Sequence, residues 1–202
     1  MAMTTPSVRY AEIERETAHV RLQLVLDIDG GQRRDIATGI PFFDLMLERM
    51  AYFGKLNLGI TAEGDLAVDD RHTVVEVGSA LGEAIAMALQ DGERIERVAD
   101  SVGVVEEALV MTALHIGGRG GFYSDLQFKE DRFGGLGTGS VMSFFQALCQ
   151  RSGVTAHIRT LAGQDGRNLC EACFQSFGLA LHGATHVVVG RREHPRTSTF
   201  AP

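Results

Sequence analysis

The sequence predicts an α+β fold in which one β-β-α-β-α unit occurs twice in tandem. Three observations lead to this prediction: an ungapped internal repeat, two pairs of amphipathic helices, and an extended segment ahead of each pair. Residues 40–90 align with residues 136–186 at a constant offset of 96. A fixed offset of this kind is typical of a duplicated structural unit.

The first helix of each half is predicted from apolar residues spaced three and four apart. Residues at this spacing lie on one face of an α-helix, where they can pack into a core. They are Phe43, Met46, Leu47, Met50 and Phe53 in the first half, and Val141, Phe144, Phe145 and Leu148 in the second. The two predicted helices cover residues 42–53 and 140–150.

The second helix of each half is predicted over residues 71–89 and 167–183, and each begins with an arginine, Arg71 and Arg167. Ahead of each helix pair lies a segment with alternating apolar residues and glycine-rich turns. These segments are HVRLQLVLDIDGG and ALVMTALHIGGRGGFYSDLQF. Alternation followed by such turns favours a β-hairpin in each half.

Composition and charge are those of an ordinary globular chain of 202 residues. The chain is 45% hydrophobic, and no Pro/Ser-rich linker separates its halves, residues 1–93 and 94–202, so the two are expected to share one core. Its net charge of −7 comes from acidic residues spread along the sequence. This charge argues against a nucleic acid or a membrane surface as partner.

The cellular setting is predicted from the cysteines and from the apolar stretches. Cys149, Cys170 and Cys173 cannot form a complete disulfide set, and the single C-x-x-C of Cys170 and Cys173 has no second such pair with which to bind a metal. They are expected to be buried, reduced thiols. Because the sequence also shows neither a secretory leader pattern nor a long apolar run, a cytoplasmic location is expected.

Eight short motifs follow one another in a characteristic order. They are ERETAHVRLQLVLD, TGIPFFDLML, VDDRHTVVEVGSALGEAI, EEAL, GGRGGF, TGSVMSFFQAL, AHI and EACFQSFGLAL. In this order the chain resembles the imidazoleglycerol-phosphate dehydratase family, a lyase family of histidine synthesis, over roughly residues 12–200. The resemblance implies one domain made of both halves, with two sheets enclosing a four-helix layer. It also implies trimers that assemble into a cage, and two manganese ions per active site between subunits.

The family's signature is a pair of H-H-x-x-E motifs, each opening a second helix. The first His and the Glu four residues later lie on one helix face, where they can bind one cation. The resemblance implies eight metal-ligand positions, of which this chain keeps three: His72, His157 and Glu171. The other five are occupied by Leu45, Arg71, Val75, Arg167 and Asn168.

These substitutions lead us to expect no metal cofactor, although the family uses manganese. A guanidinium has no lone pair for a metal and stays protonated, and neither i, i+4 ligand pair is intact. His72, His157 and Glu171 are then remnant ligands. We expect Arg71 and Arg167 to substitute for the metal, because a cationic side chain can balance the carboxylates left in the site.

The resemblance also implies a phosphate clamp that is partly present. Arg97, Arg119 and Ser198 match residues that grip the substrate phosphate, a task suited to the planar donors of arginine. Two lysines of the family are replaced here by Gln175 and Phe200. We therefore expect Arg97, Arg119 and Ser198 to form a phosphate-binding site.

Three glutamates are the candidate catalytic residues. Glu16 and Glu107 match family glutamates near the reacting centre, and Glu171 belongs to the second signature motif. A purely structural explanation also exists for Glu171 and for the remnant ligands His72 and His157. A solitary histidine specifies no coordination geometry, and Glu171 lies one turn after Arg167, where an intrahelical ion pair is expected. Arg71 and Arg167 could instead form a new anion site with the two clamp arginines.

Three functions follow from these observations. The first is a divergent paralogue without the dehydratase reaction, which acts in binding, regulation or assembly. The second is a lyase or isomerase for another phosphorylated small molecule. The third is imidazoleglycerol-phosphate dehydratase itself, because the family is a hydro-lyase family and the five substitutions leave the activity open. In each case the expected partners are a small phosphorylated ligand and further copies in a homo-oligomer built from trimers.

Overall fold

The computed structural model describes residues 9–31, 33–66, 69–89 and 95–188. The first half contains β1 (Tyr10–Glu16), β2 (Val20–Asp27), β3 (Arg34–Ala37), α1 (Pro41–Gly54), β4 (Asn57–Gly64) and α2 (Arg71–Ala88). The second half contains β5 (Val98–Val105), β6 (Ala108–Ile116), β7 (Gly121–Ser124), β8 (Arg132–Phe133), β9 (Leu136–Gly137), α3 (Thr138–Ser152), β10 (Val154–Ala162) and α4 (Gly166–Ala184). The boundary predicted between residues 93 and 94 lies outside the described residues.

Each half contributes one four-stranded sheet, and the two sheets have the same topology. Their strand orders are β1-β2-β4-β3 and β5-β6-β10-β7. In both sheets the first three strands are antiparallel neighbours, and the fourth runs parallel to the third. Equal order and equal direction confirm the predicted α+β fold with a tandem unit. Strands β8 and β9 form a separate small ribbon.

Each four-stranded sheet holds one strand more than the sequence predicted, and the second half adds the ribbon of β8 and β9. Strands β3 and β7 have four residues each and run parallel to β4 and β10. The second hairpin also differs from the prediction, because β6 pairs with β5 upstream and not with the segment downstream of it. Four residues are too few to show an alternation of their own, and a parallel partner lies far along the chain, so no local signal reports these strands.

All four helices lie where they were predicted, within a few residues at each end. Helix α1 begins at Pro41, a residue favoured in the first helical turn because its missing N–H would have no partner there. Helix α3 ends before Gly153, which has a left-handed conformation with φ of 70°. Glycine adopts this conformation without steric cost and so ends helices.

The helices form a layer between the sheets, in which α2 packs against α3 and α1 against α4. Two glycines at equivalent places in the repeat allow these pairs to approach closely. A Cβ atom on Gly82 would lie 2.4 Å from the Leu148 carbonyl oxygen, and one on Gly178 would lie 2.3 Å from the Met50 carbonyl oxygen. Any larger residue would force the helices apart, so the duplicated fold depends on glycine at both positions.

The core between the helices is aromatic. The Phe144 ring lies 5.3 Å from that of Phe43 and 5.4 Å from that of Phe174, between centroids. The three cysteines are buried in the same layer, as expected, and burial raises the pKa of the Cys149 thiol to about 12. Thiols held in the protonated form are poor nucleophiles. Among the described residues, no helix is both long and apolar enough to cross a membrane.

Candidate functional site

The first turns of α2 and α4 carry the two copies of the signature motif, and both are held by an aspartate. The carboxylate of Asp165 accepts hydrogen bonds from the backbone N–H groups of Arg167 and Asn168, at 3.0 and 3.1 Å. The carboxylate of Asp69 accepts one from the N–H of Arg71 at 3.0 Å. Such bonds satisfy the free N–H groups at a helix start. Both arginines are thereby placed at equivalent points of the repeat.

The start of α2 is anchored by a buried carboxylate. The side chain of Asp70 is 4% exposed and accepts hydrogen bonds at 2.8 Å from the Arg132 guanidinium and from the Gly137 N–H. Burial acts to raise the pKa of Asp70, but hydrogen bonds from Gly137, Ser140 and Arg132 outweigh burial, and the pKa lies below its usual range. Asp70 therefore fixes the first turn of α2 to the segment that leads into α3.

The surviving histidine of α2 makes an aromatic contact. The His72 ring stacks on that of His19, with centroids 4.7 Å apart. The i+4 partner that the family's motif would supply to the first histidine is here Val75, a half-buried aliphatic residue. His157, the other surviving histidine, lies exposed on β10 and stacks on Tyr123 with centroids 4.7 Å apart.

The surviving carboxylate of α4 is bound by a residue of α1. An oxygen of Glu171 lies 2.9 Å from the Arg49 guanidinium, and the Glu171 side chain is 22% exposed. The expected ion pair between Arg167 and Glu171 is not formed. The Arg167 guanidinium lies over the ring of Phe42 instead, 5.2 Å from its centroid, in a cation–π contact.

A second polar contact fixes the same helix start. The side-chain amide of Asn168 donates to one carboxylate oxygen of Glu107 at 2.8 Å, and the backbone N–H of Asp165 donates to the other at 3.1 Å. The Asn168 amide and then the Asp165 N–H hold the pKa of the Glu107 carboxyl below its ordinary value. Glu107 is therefore an anion that orders the turn ahead of α4.

The remaining predicted residues lie apart from these contacts. Glu16 is exposed on β1 and pairs with Arg21 at 3.0 Å. Arg97 has φ of 65°, and its backbone joins the end of α4 to β6 through the Ala184 carbonyl and the Ile116 N–H. Arg119 is exposed in the loop ahead of β7, and Ser198 lies outside the described residues.

The predicted contact of Arg71 and Arg167 with surviving carboxylates is not formed within the described chain. Neither guanidinium belongs to an ion pair there, and Arg49 supplies the counter-charge for Glu171. Their role as metal-substituting residues stays a prediction. Spacing within α4 gave no indication of Arg49, because Arg49 lies on another helix. The expected four-helix layer was the signal that could have revealed it, because α1 lies beside α4 in that layer.

Comparison with known proteins assigns this fold and this order of motifs to one family. A family model described as imidazoleglycerol-phosphate dehydratase matches residues 38–181. The protein of that name from Caldicellulosiruptor saccharolyticus is 37% identical over 90% of this chain and 94% of its own length. That from Methanoculleus marisnigri is 41% identical over 89% of this chain and 93% of its own.

Solved structures give the same result. The imidazoleglycerol-phosphate dehydratase from Staphylococcus aureus superposes with a TM-score of 0.80 and covers 89% of this chain and 99% of its own, at 24% identity. The Pyrococcus furiosus enzyme, solved in complex with (S)-C348, gives 0.76 at 26% identity, over 90% of this chain and 97% of its own. The chain belongs to the imidazoleglycerol-phosphate dehydratase family, and so to the proteins of histidine biosynthesis.

This membership corrects the expectation that no cofactor is used. Manganese is the metal of the family, and the chain matches relatives that carry the enzyme's name along about nine-tenths of its length. Within the described part of the chain, however, no three His, Cys, Asp or Glu side chains come together as a metal site. The resemblance implies a metal centre between subunits, so no chemical step through a metal is derived from the residues of one chain.

Proposed function

We propose that this chain is a member of the imidazoleglycerol-phosphate dehydratase family with an altered manganese site and without the family's dehydratase activity. In this proposal it is a cytoplasmic protein that binds a phosphorylated small molecule. The family's enzymes are oligomeric and act on a phosphorylated substrate. In this proposal the chain still binds a ligand of that class but does not catalyse the dehydration.

The observation that carries the proposal is the ion pair between Arg49 and Glu171, at 2.9 Å. Glu171 is the carboxylate that remains from the two signature motifs. A carboxylate held by a guanidinium has its charge balanced inside the protein, and a divalent cation would have to displace that partner. The ion pair therefore supports a site in which an arginine, and not a metal ion, balances the charge of Glu171.

Three of the substituted positions support the same conclusion. Leu45 on α1 and Val75 on α2 have aliphatic side chains with no atom that can bind a metal. The side-chain amide of Asn168 donates a hydrogen bond to Glu107, so the Asn168 side chain is engaged in a contact within the protein. A dehydratase that works through a metal gains several kcal/mol of transition-state stabilisation from it. Losing that contribution lowers the rate by about 10³-fold or more.

Growth of a histidine auxotroph that lacks the enzyme tests this proposal. We expect no growth without histidine when this chain is expressed, and normal growth when the Methanoculleus marisnigri relative is expressed from the same vector. An immunoblot shows that both proteins accumulate. Growth supported by this chain to the level of that relative would contradict the proposal.

Ligand binding is tested separately on the purified protein. We propose that Arg97 and Arg119 grip the phosphate of imidazoleglycerol phosphate, together with Ser198. Calorimetric titration should show saturable binding that Arg119→Gln weakens by about tenfold or more, since it removes a charge-assisted contact. Lys129→Gln, which removes a surface cation paired to Gln164, is the matched control and should bind normally. Equal affinity of both variants would contradict the assignment.

The exposed face of the second sheet supports assembly into a homo-oligomer built from trimers, and it differs from that of the first. The first sheet exposes charged residues such as Glu12, Glu14 and Arg21. The second exposes valines on β5, with Val98 65% and Val104 59% exposed. An exposed apolar face of this kind marks a surface that is covered in the assembled protein. Light scattering should give a mass that is a multiple of three chains of 21.9 kDa.

A further inference from the structure

A cavity of about 340 Å³ opens at the end of the helix layer where α1 and α4 finish. It lies at the opposite end of α4 from the signature motif. Its lining includes four basic side chains, namely Arg9, Lys55, His182 and His186. The predicted phosphate residues Arg97 and Arg119 are not among the residues that line it.

Backbone geometry fixes the walls of this cavity. Lys55 follows α1 in a left-handed conformation, with φ of 54°, and its N–H bonds to the Tyr52 carbonyl at 3.2 Å. His182 lies in the last turn of α4. On the opposite wall, a Cβ atom on Gly30 would lie 2.0 Å from the Asn57 side chain, so a larger residue in the turn after β2 would have to displace that side chain. These backbone positions define the walls of the cavity.

The charges around the cavity do not cancel. Arg9 is matched by Asp29, with a hydrogen bond of 2.7 Å from its Nε atom, and it also donates to the Thr185 carbonyl. Within the described residues, no carboxylate pairs with Lys55, His182 or His186. Burial lowers the pKa of His182, and the nearby Lys55, His186 and Arg9 lower it further. Apart from the pair of Arg9 and Asp29, the described residues therefore supply no carboxylate partner to the basic side chains that line the cavity.

We propose that this cavity binds a small phosphorylated anion, held by Lys55, His182 and His186. A phosphate carries two negative charges and several acceptor oxygens near neutral pH, so it can engage all three side chains at once. The volume equals that of about ten water molecules, which admits a phosphate with a small organic group. Arg9 and its partner Asp29 form the rim that orients the site.

A structural explanation of the same residues makes a different prediction. Basic side chains near the ends of α1 and α4 also offset the negative ends of the helix dipoles. In that case Lys55 and His182 would contribute to stability and would not respond to phosphate. The two explanations are separated by measuring anion binding and unfolding on the same variants.

The test uses inorganic phosphate and the full chain, with the ¹H NMR signal of the His182 ring as a local reporter. We expect saturable binding that raises the pKa of His182, because a bound anion favours the cationic imidazole. Lys55→Gln should weaken this binding by about tenfold or more. Lys129→Gln, which removes a surface cation outside the cavity, should leave it unchanged, and sodium chloride at equal ionic strength should not reproduce the shift.

Two results would overturn the proposal. One is a His182 signal that responds equally to phosphate and to chloride, which indicates general screening. The other is a phosphate response that Lys55→Gln preserves. Because Lys55 is exposed, its variant is expected to fold, and thermal unfolding checks this. His186→Gln, at a second exposed position, provides an independent variant with the same expected loss. Neither result bears on dehydratase activity, so this site and the proposed function are tested separately.

Discussion

The first turns of α2 and α4 occupy equivalent places in the repeat, and they have lost different parts of one motif. Helix α2 keeps a histidine and has valine in place of the carboxylate, whereas α4 keeps Glu171 and has no histidine in its motif. A counter-charge is present only where the carboxylate survived, since Arg49 pairs with Glu171. The comparison shows that the charge of Glu171 is balanced from a neighbouring helix and not by Arg167 of its own helix.

The largest effect is expected from restoring both motifs together. A variant with Leu45→His, Arg71→His, Val75→Glu, Arg167→His and Asn168→His, combined with Arg49→Gln, regains the family's ligand set and releases Glu171. With manganese added, its dehydratase turnover should exceed that of the natural chain by about 10³-fold or more. Arg167→His alone should give no gain, because four positions stay substituted. Equal gains from the single and the combined variants would show that the lost ligands are not the cause.

A smaller but clear effect is expected at the buried anchor of α2. Asp70→Asn removes the charge that holds Arg132 and Gly137, and should lower the free energy of unfolding by about 2 kcal/mol. Asp165→Asn at the start of α4 should cost little, since Asn caps a helix as well as Asp does. Urea unfolding at one protein concentration compares the two. Similar losses of unfolding free energy for both variants would show that Asp70 and Asp165 stabilise their helix starts in the same way.

The pH dependence of the same variant gives an independent check. The pKa of Asp70 is lowered in the folded protein from the ordinary value of 3.8, so its charge stabilises the fold above that pH. The stabilisation is lost as the pH falls through the folded-state pKa. The difference between the natural chain and Asp70→Asn should therefore shrink below about pH 4. A difference that stays constant down to pH 2 would mean that Asp70 acts through packing alone.

A still smaller effect is expected for the ion pair on α4. A double-mutant cycle of Arg49→Met and Glu171→Gln should give a coupling energy of about 0.5–1 kcal/mol, because both side chains are partly exposed. The matched cycle of Arg167→Met and Glu171→Gln should give none. Coupling in the second cycle and not in the first would show that Glu171 pairs with Arg167 in its own helix, as the sequence suggested.

The smallest effects are expected for the two arginines themselves. Arg167→Ala removes a cation–π contact with Phe42 and should cost about 0.5–1 kcal/mol. Arg71→Ala removes a side chain without an ion pair in the described chain and should change stability by less than about 0.5 kcal/mol. Thermal unfolding measures both. A larger loss for Arg71→Ala in the assembled protein would indicate that Arg71 contacts another subunit.

The sequence predicted the helices and the repeat because their signals are local and regular. Apolar spacing located α1 to α4, and the constant offset of 96 matched the two halves residue by residue. Strands β3 and β7 were missed because each has four residues and a parallel partner beyond a helix. Local patterns carry little information about such pairing.

The site was less predictable because its contacts join separate elements. The sequence identified Glu171 as a kept motif position and Asn168 as a substituted one, but their partners Arg49 and Glu107 are 122 and 61 residues away. The turn of Arg167 towards Phe42 depends on how α1 lies beside α4. Which of several nearby partners a side chain contacts is decided by packing between elements. The spacing of residues within one helix does not predict that packing.

The most direct test of the central claim is the dehydratase activity of the purified, assembled protein. Imidazoleglycerol phosphate is supplied with saturating manganese, and product formation is compared with that of the Methanoculleus marisnigri relative under the same conditions. The altered motifs predict a turnover lower by about 10³-fold or more, together with saturable substrate binding. Turnover within about tenfold of that relative would contradict the account, because it would show that the remaining residues suffice for the reaction.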